Sequence, residues 1–220
     1  MIADETITRV GPVRSEAYLD LVQMLTGVGL VAFMWVHMIL VASINLDLGG
    51  GRVMNAIAHF FEATYMAQIG GPMIAATMLV HFVVAARKLP FRLREQKAIW
   101  NHSVSFHHQD TWLWVVQAST AFIILIMGSI HMWTVLTSLP ITAAKSAGRI
   151  QGGWWLAFYL VLLPMIELHV GIGIYRIGVK WGFIKRANRT ALHGFENKLT
   201  LIMIGIGLVS LLTFLVLTKA

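Results

Sequence analysis

Residues 163–181 read LPMIELHVGIGIYRIGVKW, and they place a carboxylate and a histidine inside a stretch that is otherwise apolar enough to span a membrane. Ionisable groups are costly in the hydrocarbon region, so each needs a partner or a function. Glu167 and His169 lie roughly 200° apart around a helix, so they face different neighbours. Gly171 and Gly173 follow, and small residues let a bulky flat group or another helix approach the backbone. This face suits a haem, or alternatively a buried histidine that hydrogen-bonds a neighbouring helix.

The composition is that of an integral membrane protein. Of 220 residues, 57% are hydrophobic and 12% are charged, whereas soluble proteins average about 25% charged residues. Transmembrane segments must be helices here, because an open sheet leaves its edges unpaired in lipid and the sequence lacks the alternation of a barrel. The sequence therefore predicts an all-α bundle of five transmembrane helices. Five runs without charge are near or above the ~20 residues that cross a bilayer: residues 21–46, 63–86, 111–144, 150–166 and 199–218.

We predict one transmembrane domain over residues 1–220. Residues 52–71 carry Glu62 in a mostly apolar sequence and are predicted to form an amphipathic or re-entrant segment. Because the stretch from Pro72 is short for a full crossing, this segment would complete it and draw Glu62 toward the membrane. The polar amino terminus is unlike a cleaved signal peptide, so the first span is expected to direct insertion. The spans are predicted at about residues 21–46, 72–88, 111–137, 154–180 and 199–218.

The distribution of Lys and Arg predicts the topology. Four of these 17 residues fall on one side of the predicted bundle, namely Arg52, Lys145, Arg149 and Lys219, and the others fall on the opposite side. By the positive-inside rule, the amino terminus is therefore cytoplasmic. The net charge of +7 follows from these loops and does not indicate a nucleic-acid partner. Without cysteine, the chain forms no disulfide and supplies no thiolate to zinc or an iron–sulfur cluster.

Four histidines lie within the predicted spans, and their depths form two pairs. At 1.5 Å per residue, His81 lies about 9 Å and His169 about 10 to 16 Å from the cytoplasmic end. His37 and His131 lie about 25 Å and 31 Å from it. One histidine from each of four helices, at two depths, is what two stacked bis-histidine haems need. A zinc site is disfavoured because its ligands would cluster at one depth.

The segment from Arg87 to Asp110 is basic, with His102, His107 and His108 and several aromatic residues. It is either an ordinary membrane-surface loop or a docking surface for a soluble partner.

Motifs around the four histidines resemble the dihaem cytochrome b membrane subunit of quinol:fumarate reductases and succinate:quinone oxidoreductases, of the type with a single anchor subunit. The resemblance covers nearly the whole chain. It implies a proximal haem b on His81 and His169, nearer the cytoplasm, and a distal haem b on His37 and His131. The motifs are FMWVHM, VHFVVAARKLP, DTWLWVVQASTAF, GSIHM and ELHVGIGIYRIGVKW.

The resemblance also implies roles for five further residues. Gln23, Trp114 and Lys180 would contact the propionates of the proximal haem, where polar groups suit carboxylates. Glu62 would be the acid beside the quinol, and Glu167 would carry protons across the membrane.

The implied function is the oxidation of menaquinol. Electrons would pass through the two haems to an iron–sulfur subunit and then to a flavoprotein with FAD that reduces fumarate on the cytoplasmic side. The chain is thus expected in the bacterial inner membrane as a multi-pass subunit within lipid, and a dimer of heterotrimers is one assembly open to it. One alternative is the cytochrome b subunit of another membrane dehydrogenase or hydrogenase. Another is a non-redox proton or solute transporter, which would not explain the paired depths.

Overall fold

A computed structural model describes residues 14–47, 50–106 and 109–217, and these ranges are helical with connecting turns and no strand. The predicted all-α class is therefore confirmed for the described residues. Two short 3₁₀ turns, Ser43–Asn45 and Arg186–Asn188, accompany the α-helices. The α-helices are α1 (Arg14–Ala42), α2 (Arg52–Ala63), α3 (Met66–Ala86), α4 (Leu93–Phe106), α5 (Gln109–Leu136), α6 (Ala143–Gln151), α7 (Trp154–Lys180) and α8 (Arg189–Val216).

Five of these helices, α1, α3, α5, α7 and α8, are long and apolar enough to cross a membrane. Between 0% and 33% of the most apolar window of each helix is buried within the chain. Their outward faces are therefore apolar surfaces that only lipid or another protein can cover. The five-span prediction is confirmed for the part of the chain that the structure describes.

The second span begins earlier than the sequence suggested, at Met66 instead of residue 72. The boundary lies at Tyr65, whose left-handed φ of 58° interrupts the helical path after α2. Pro72 consequently lies inside α3, where its missing N–H removes one backbone hydrogen bond. Residues 66–71 thus belong to the spanning helix, and the preceding segment is the separate helix α2, which buries Met54 and Ala58.

Other helices also extend beyond the apolar runs that define the spans. α1 begins at Arg14 and α8 at Arg189, because polar residues at an aqueous boundary continue a helix without difficulty. The basic segment after α3 contains the helix α4, on which Arg94 and Lys97 are exposed. Residues 1–13, to which the predicted cytoplasmic amino terminus belongs, lie outside the described residues, as do His107, His108 and residue 218, the predicted end of the last span.

The bundle is organised around α7, which packs against α5 on one side and α8 on the other, while α1 packs against α3. The largest apolar cluster lies where α2 and α6 cover the ends of α1 and α8. We call this the covered end. The opposite end, where α1 begins and α3 and α7 finish, we call the mouth end.

Polar side chains fix the loops of the covered end. Asp47 accepts hydrogen bonds from the backbone N–H groups of Gly51 (3.1 Å) and Arg52 (2.7 Å) at the start of α2. Desolvation alone would raise the pKa of Asp47, but these N–H donors lower it below its usual value. Asn55 accepts from the backbone N–H of Ala143 at 2.8 Å, which ties α2 to α6.

Candidate functional site

A cavity of about 870 Å³ runs through the bundle between α1, α3, α5 and α7. All four histidines of the spans line it, one from each of these helices: His37, His81, His131 and His169. Most of the remaining wall is aliphatic or aromatic, so the cavity suits a large apolar ligand with a few polar contacts.

The pair nearer the covered end is His37 and His131, whose ring centroids are 5.9 Å apart at an interplanar angle of 64°. Phe33 stacks on His37 at 5.7 Å. The Nδ1 atom of His131 lies 3.0 Å from the hydroxyl of Tyr159. This contact at Nδ1 leaves Nε2 as the ring nitrogen available to a metal.

The other pair, His81 and His169, has the same kind of contact. The Nδ1 atom of His81 lies 3.0 Å from the Thr26 hydroxyl, and that of His169 lies 3.1 Å from the Thr120 hydroxyl. His169 Nδ1 is also 3.2 Å from the backbone carbonyl of Gln117. Since a carbonyl can only accept, Nδ1 of His169 carries the hydrogen and Nε2 carries the lone pair. Three of the four histidines therefore have Nδ1 engaged.

One glycine brings α1 unusually close to this pair. A Cβ at Gly27 would lie 3.1 Å from Cε1 of His81, tighter than most real contacts. Gly27 thus permits the close approach of α1 to the His81 ring.

Charged groups line the cavity at the mouth end. Asp20 pairs with Lys88 and Lys180, and Lys88 donates to Gln23 Oε1 at 2.8 Å. Trp114 lines the same cavity. The structure therefore places Gln23, Trp114 and Lys180 together on the cavity wall, where two lysines face one carboxylate. The excess positive charge fits acidic groups of a ligand.

Sequence reasoning missed the hydroxyl partners of the histidines and one cation. Thr26 and Thr120 also donate to carbonyls of their own helices, Val22 (2.7 Å) and Val116 (2.8 Å), so in sequence they look like ordinary threonines of a membrane helix. Arg149 of α6 lines the cavity at the covered end and donates to the Ser138 hydroxyl. In the sequence, Arg149 stands out only as one of the few basic residues on that side of the predicted bundle.

The two predicted acids lie beside the cavity and not on its wall. Glu62 of α2 is half-buried, and its neighbour Phe61 lines the cavity. Glu167 is 2% exposed and its Oε1 atom has no hydrogen-bond partner. Ile166, His169 and Val170 line the cavity, so Glu167 occupies a different face of α7.

Among the described residues, no group of three or more His, Asp or Glu side chains could hold a metal ion. A haem needs only one or two protein ligands, because its macrocycle supplies the others. The paired histidines therefore fit haem.

Comparison with known proteins identifies the family. Residues 93–217 match the family described as succinate dehydrogenase/fumarate reductase transmembrane subunit. The chain belongs to this family. It is therefore the transmembrane subunit of an oxidoreductase complex whose active site lies on other subunits, and the family resemblance seen in the motifs is confirmed.

Individual relatives agree with this membership. The chain is 33% identical to the fumarate reductase cytochrome b subunit of Helicobacter pylori strain J99 over 202 residues, which cover 87% of this chain and 78% of that protein. It is 35% identical to the subunit of the same name from Wolinella succinogenes over 179 residues, 77% of this chain and 69% of that protein. The succinate dehydrogenase cytochrome b558 subunit of Bacillus subtilis is 23% identical over 137 residues, 60% of this chain and 65% of that protein.

Proposed function

We propose that this chain is the dihaem cytochrome b subunit of a menaquinol:fumarate reductase. The observation that carries the proposal is the cavity lined by one histidine from each of four spanning helices. In this proposal His37 and His131 hold the distal haem b, and His81 and His169 hold the proximal haem b. Such haems supply one-electron transfer when bound.

The residues around the cavity suit this cofactor. Thr26, Thr120 and Tyr159 engage Nδ1 of their histidines, which orients each ring with Nε2 as the nitrogen for iron. At His169 the side-chain amide of Gln117 lies 3.3 Å from Nε2, and it would give way to the haem. Gln23 and Lys180 at the mouth end can receive the propionates of the proximal haem, beside the indole of Trp114.

Menaquinol would bind near the covered end, where α2 adjoins the cavity. Phe61 and Met66 provide an apolar wall there, which suits a quinone ring and its tail. Quinol oxidation releases two electrons and two protons. We propose that the Glu62 carboxylate accepts one of these protons, because it lies next to this wall and no other acid of α2 does.

The partners would dock at the mouth end. The exposed cations of α4 and the lysines of the cavity mouth form a basic surface, which suits an acidic protein face. We propose that an iron–sulfur subunit docks there and connects to a flavoprotein with FAD that interconverts fumarate and succinate. The mouth end and the amino terminus would face the cytoplasm of a bacterial inner membrane.

Glu167 would supply charge compensation in this proposal. Electrons that move inward against the membrane potential cost ~2.3 kcal/mol per charge per 100 mV, which opposes fumarate reduction by a weak reductant. A proton that moves inward with each electron cancels this cost. Glu167 is buried in α7 with an unpartnered oxygen, and it would carry that proton.

Purification of the tagged chain from its native membrane in mild detergent tests the proposed function. We expect a flavoprotein and an iron–sulfur subunit to copurify, and the complex to reduce fumarate with a reduced menaquinone analogue as the electron donor. Copurification of hydrogenase or other dehydrogenase subunits, without fumarate reduction, would instead favour another cytochrome b assignment.

A further inference from the structure

A row of polar side chains lies outside the cavity that the four histidines line, in the contact between α7 and α8. The charge-free run that predicts the last span begins only at residue 199. Because α8 begins at Arg189, His193 and Glu196 instead belong to the helix that packs on α7. We call the row the polar seam: Asp110, Tyr175, His193, Glu196 and Thr200.

The centre of the polar seam is a buried acid next to a histidine. Glu196 is 5% exposed, and its Oε2 atom lies 3.3 Å from His193 Nδ1 without the alignment of a hydrogen bond. His193 Nε2 also lacks a hydrogen-bond partner. Buried polar atoms are nearly always satisfied, so exceptions point to an unseen water or a function.

The inner end of the polar seam reaches the level of Glu167. A Cβ at Gly171 would lie 2.5 Å from the Thr200 hydroxyl and 3.3 Å from Glu196 Oε1. The absence of a side chain at Gly171 therefore lets Glu196 and Thr200 lie directly against α7. Glu167 is one helical turn from Gly171, about 6 Å along the axis.

The outer end of the polar seam opens at the mouth end of the bundle. The ring of Tyr175 stacks on His193 at 3.7 Å, and its hydroxyl donates to Asp110 Oδ1 at 3.1 Å. Asp110 and Tyr175 line a crevice of about 840 Å³ that is separate from the haem cavity in most of its wall. His102, Arg176 and Lys180 also line this crevice.

We propose that the polar seam is the route by which protons move between the interior of the bundle and the mouth end. This proposal rests on the proposed function, in which an inward proton accompanies each electron. A proton on Glu196 passes to Nδ1 of His193, and the resulting imidazolium releases a proton from Nε2 to water toward the crevice. The ring is then neutral with its hydrogen on Nδ1, and a ring flip or proton exchange with water returns the hydrogen to Nε2. The Glu196 carboxylate meanwhile takes the next proton from the inner side, and the relay can repeat.

The charges around the polar seam favour such exchange. Glu167 and Arg176 belong to α7, Arg189 begins α8, and Asp110 lies in the first turn of α5. The arginines therefore lie toward the mouth end. Their positive charge disfavours a bound proton near Asp110 and so promotes the release of that proton to solvent.

The test uses the intact complex in sealed vesicles, with Glu196→Gln as the main variant. We expect both haems to be retained, while fumarate reduction driven by the menaquinone analogue falls at least tenfold. Glu196→Asp should recover part of the rate because it restores a carboxyl group. Ser210→Ala is the matched control, since Ser210 is a buried polar residue of α8 at the covered end and should keep the wild-type rate.

A spectroscopic measurement separates a proton carrier from a packing residue. The infrared difference spectrum between oxidised and dye-reduced complex should contain a carboxyl band that is absent in Glu196→Gln and present in Ser210→Ala. His193→Gln should slow the quinol-driven rate as well. It replaces Glu196→Gln as the test variant if the Glu196→Gln complex does not assemble. Wild-type quinol turnover in both variants, with no band assigned to Glu196, would overturn the proposal. A wild-type complex that cannot reduce fumarate with quinol would instead refute the proposed function.

Discussion

Glu167 and His169 are two residues apart, and their side chains face different surroundings because a helix turns by roughly 200° between them. His169 faces the cavity, and Thr120 and Gln117 hold its Nδ1 atom. Glu167 faces away from the cavity wall and is buried with one oxygen unpartnered. Their separation around the helix could be predicted from sequence alone, because it depends only on helical geometry.

The hydroxyls that hold the histidines could not be predicted in the same way. Tyr159 and His131 are far apart in sequence, and their 3.0 Å contact depends on how α5 and α7 are rotated against each other. The depth of a histidine follows from the helical rise, whereas its hydrogen-bond partner follows from packing.

Replacement of Glu167 by Gln tests the proton carrier in α7. We expect both haems to remain and quinol-driven fumarate reduction to fall at least tenfold, because the amide has nearly the same shape but cannot carry the proton. The measurement is turnover in sealed vesicles with a potential-sensitive dye. Normal turnover that builds no membrane potential would show that another group compensates the charge.

Replacement of Glu62 by Gln tests the proton acceptor at the quinol site. The variant should lose quinol-driven turnover, because the proposed proton acceptor is gone, while both haems remain. Fumarate reduction by an artificial dye, which bypasses the membrane subunit, reports on the assembly of the soluble subunits. A quinol-driven rate equal to wild type would move the acceptor role to another residue.

At the scale of helices, packing between α7 and α8 depends on small residues, and Gly171 is one of them. Gly171 lets Thr200 and Glu196 contact the backbone of α7, which is how small residues bring membrane helices together. The number and class of the spans could be predicted because charge-free runs report membrane crossings directly. Their ends could not, since α8 continues through polar residues to Arg189 and α3 begins at the backbone break of Tyr65.

The substitution Gly171→Ala should therefore destabilise the chain by about 1–3 kcal/mol, the usual cost of overpacking. Gly205→Ala is the matched control on α8, because a Cβ there would meet no atom within 4 Å. Alanine at that position should be neutral or stabilising by up to about 1 kcal/mol. Thermal melting of the detergent-solubilised complex, followed by haem absorbance, compares the two variants. Equal melting temperatures would contradict close packing at Gly171.

At the scale of the whole molecule, the mouth end and the covered end have different chemistry. The mouth end carries most of the cations that line the cavity, Lys88, Arg176 and Lys180, whereas the covered end contributes Arg149. Arg176 and Lys180 also line the crevice of the polar seam. The covered end is closed by α2 and α6 over an apolar cluster. This asymmetry suits the proposed function, in which electrons enter from a lipid-soluble donor at one end and leave to soluble partners at the other.

Haem content per chain tests this account most directly. Haem extracted from the purified complex and quantified against protein should give two haems for each chain. His37→Ala and His131→Ala should each remove the same haem and leave the same absorption spectrum, since the centroids of these two rings are 5.9 Å apart. His81→Ala and His169→Ala should each remove the proximal haem and leave the distal haem. One haem per wild-type chain, or loss of the same haem in His37→Ala and His81→Ala, would contradict the two stacked bis-histidine sites.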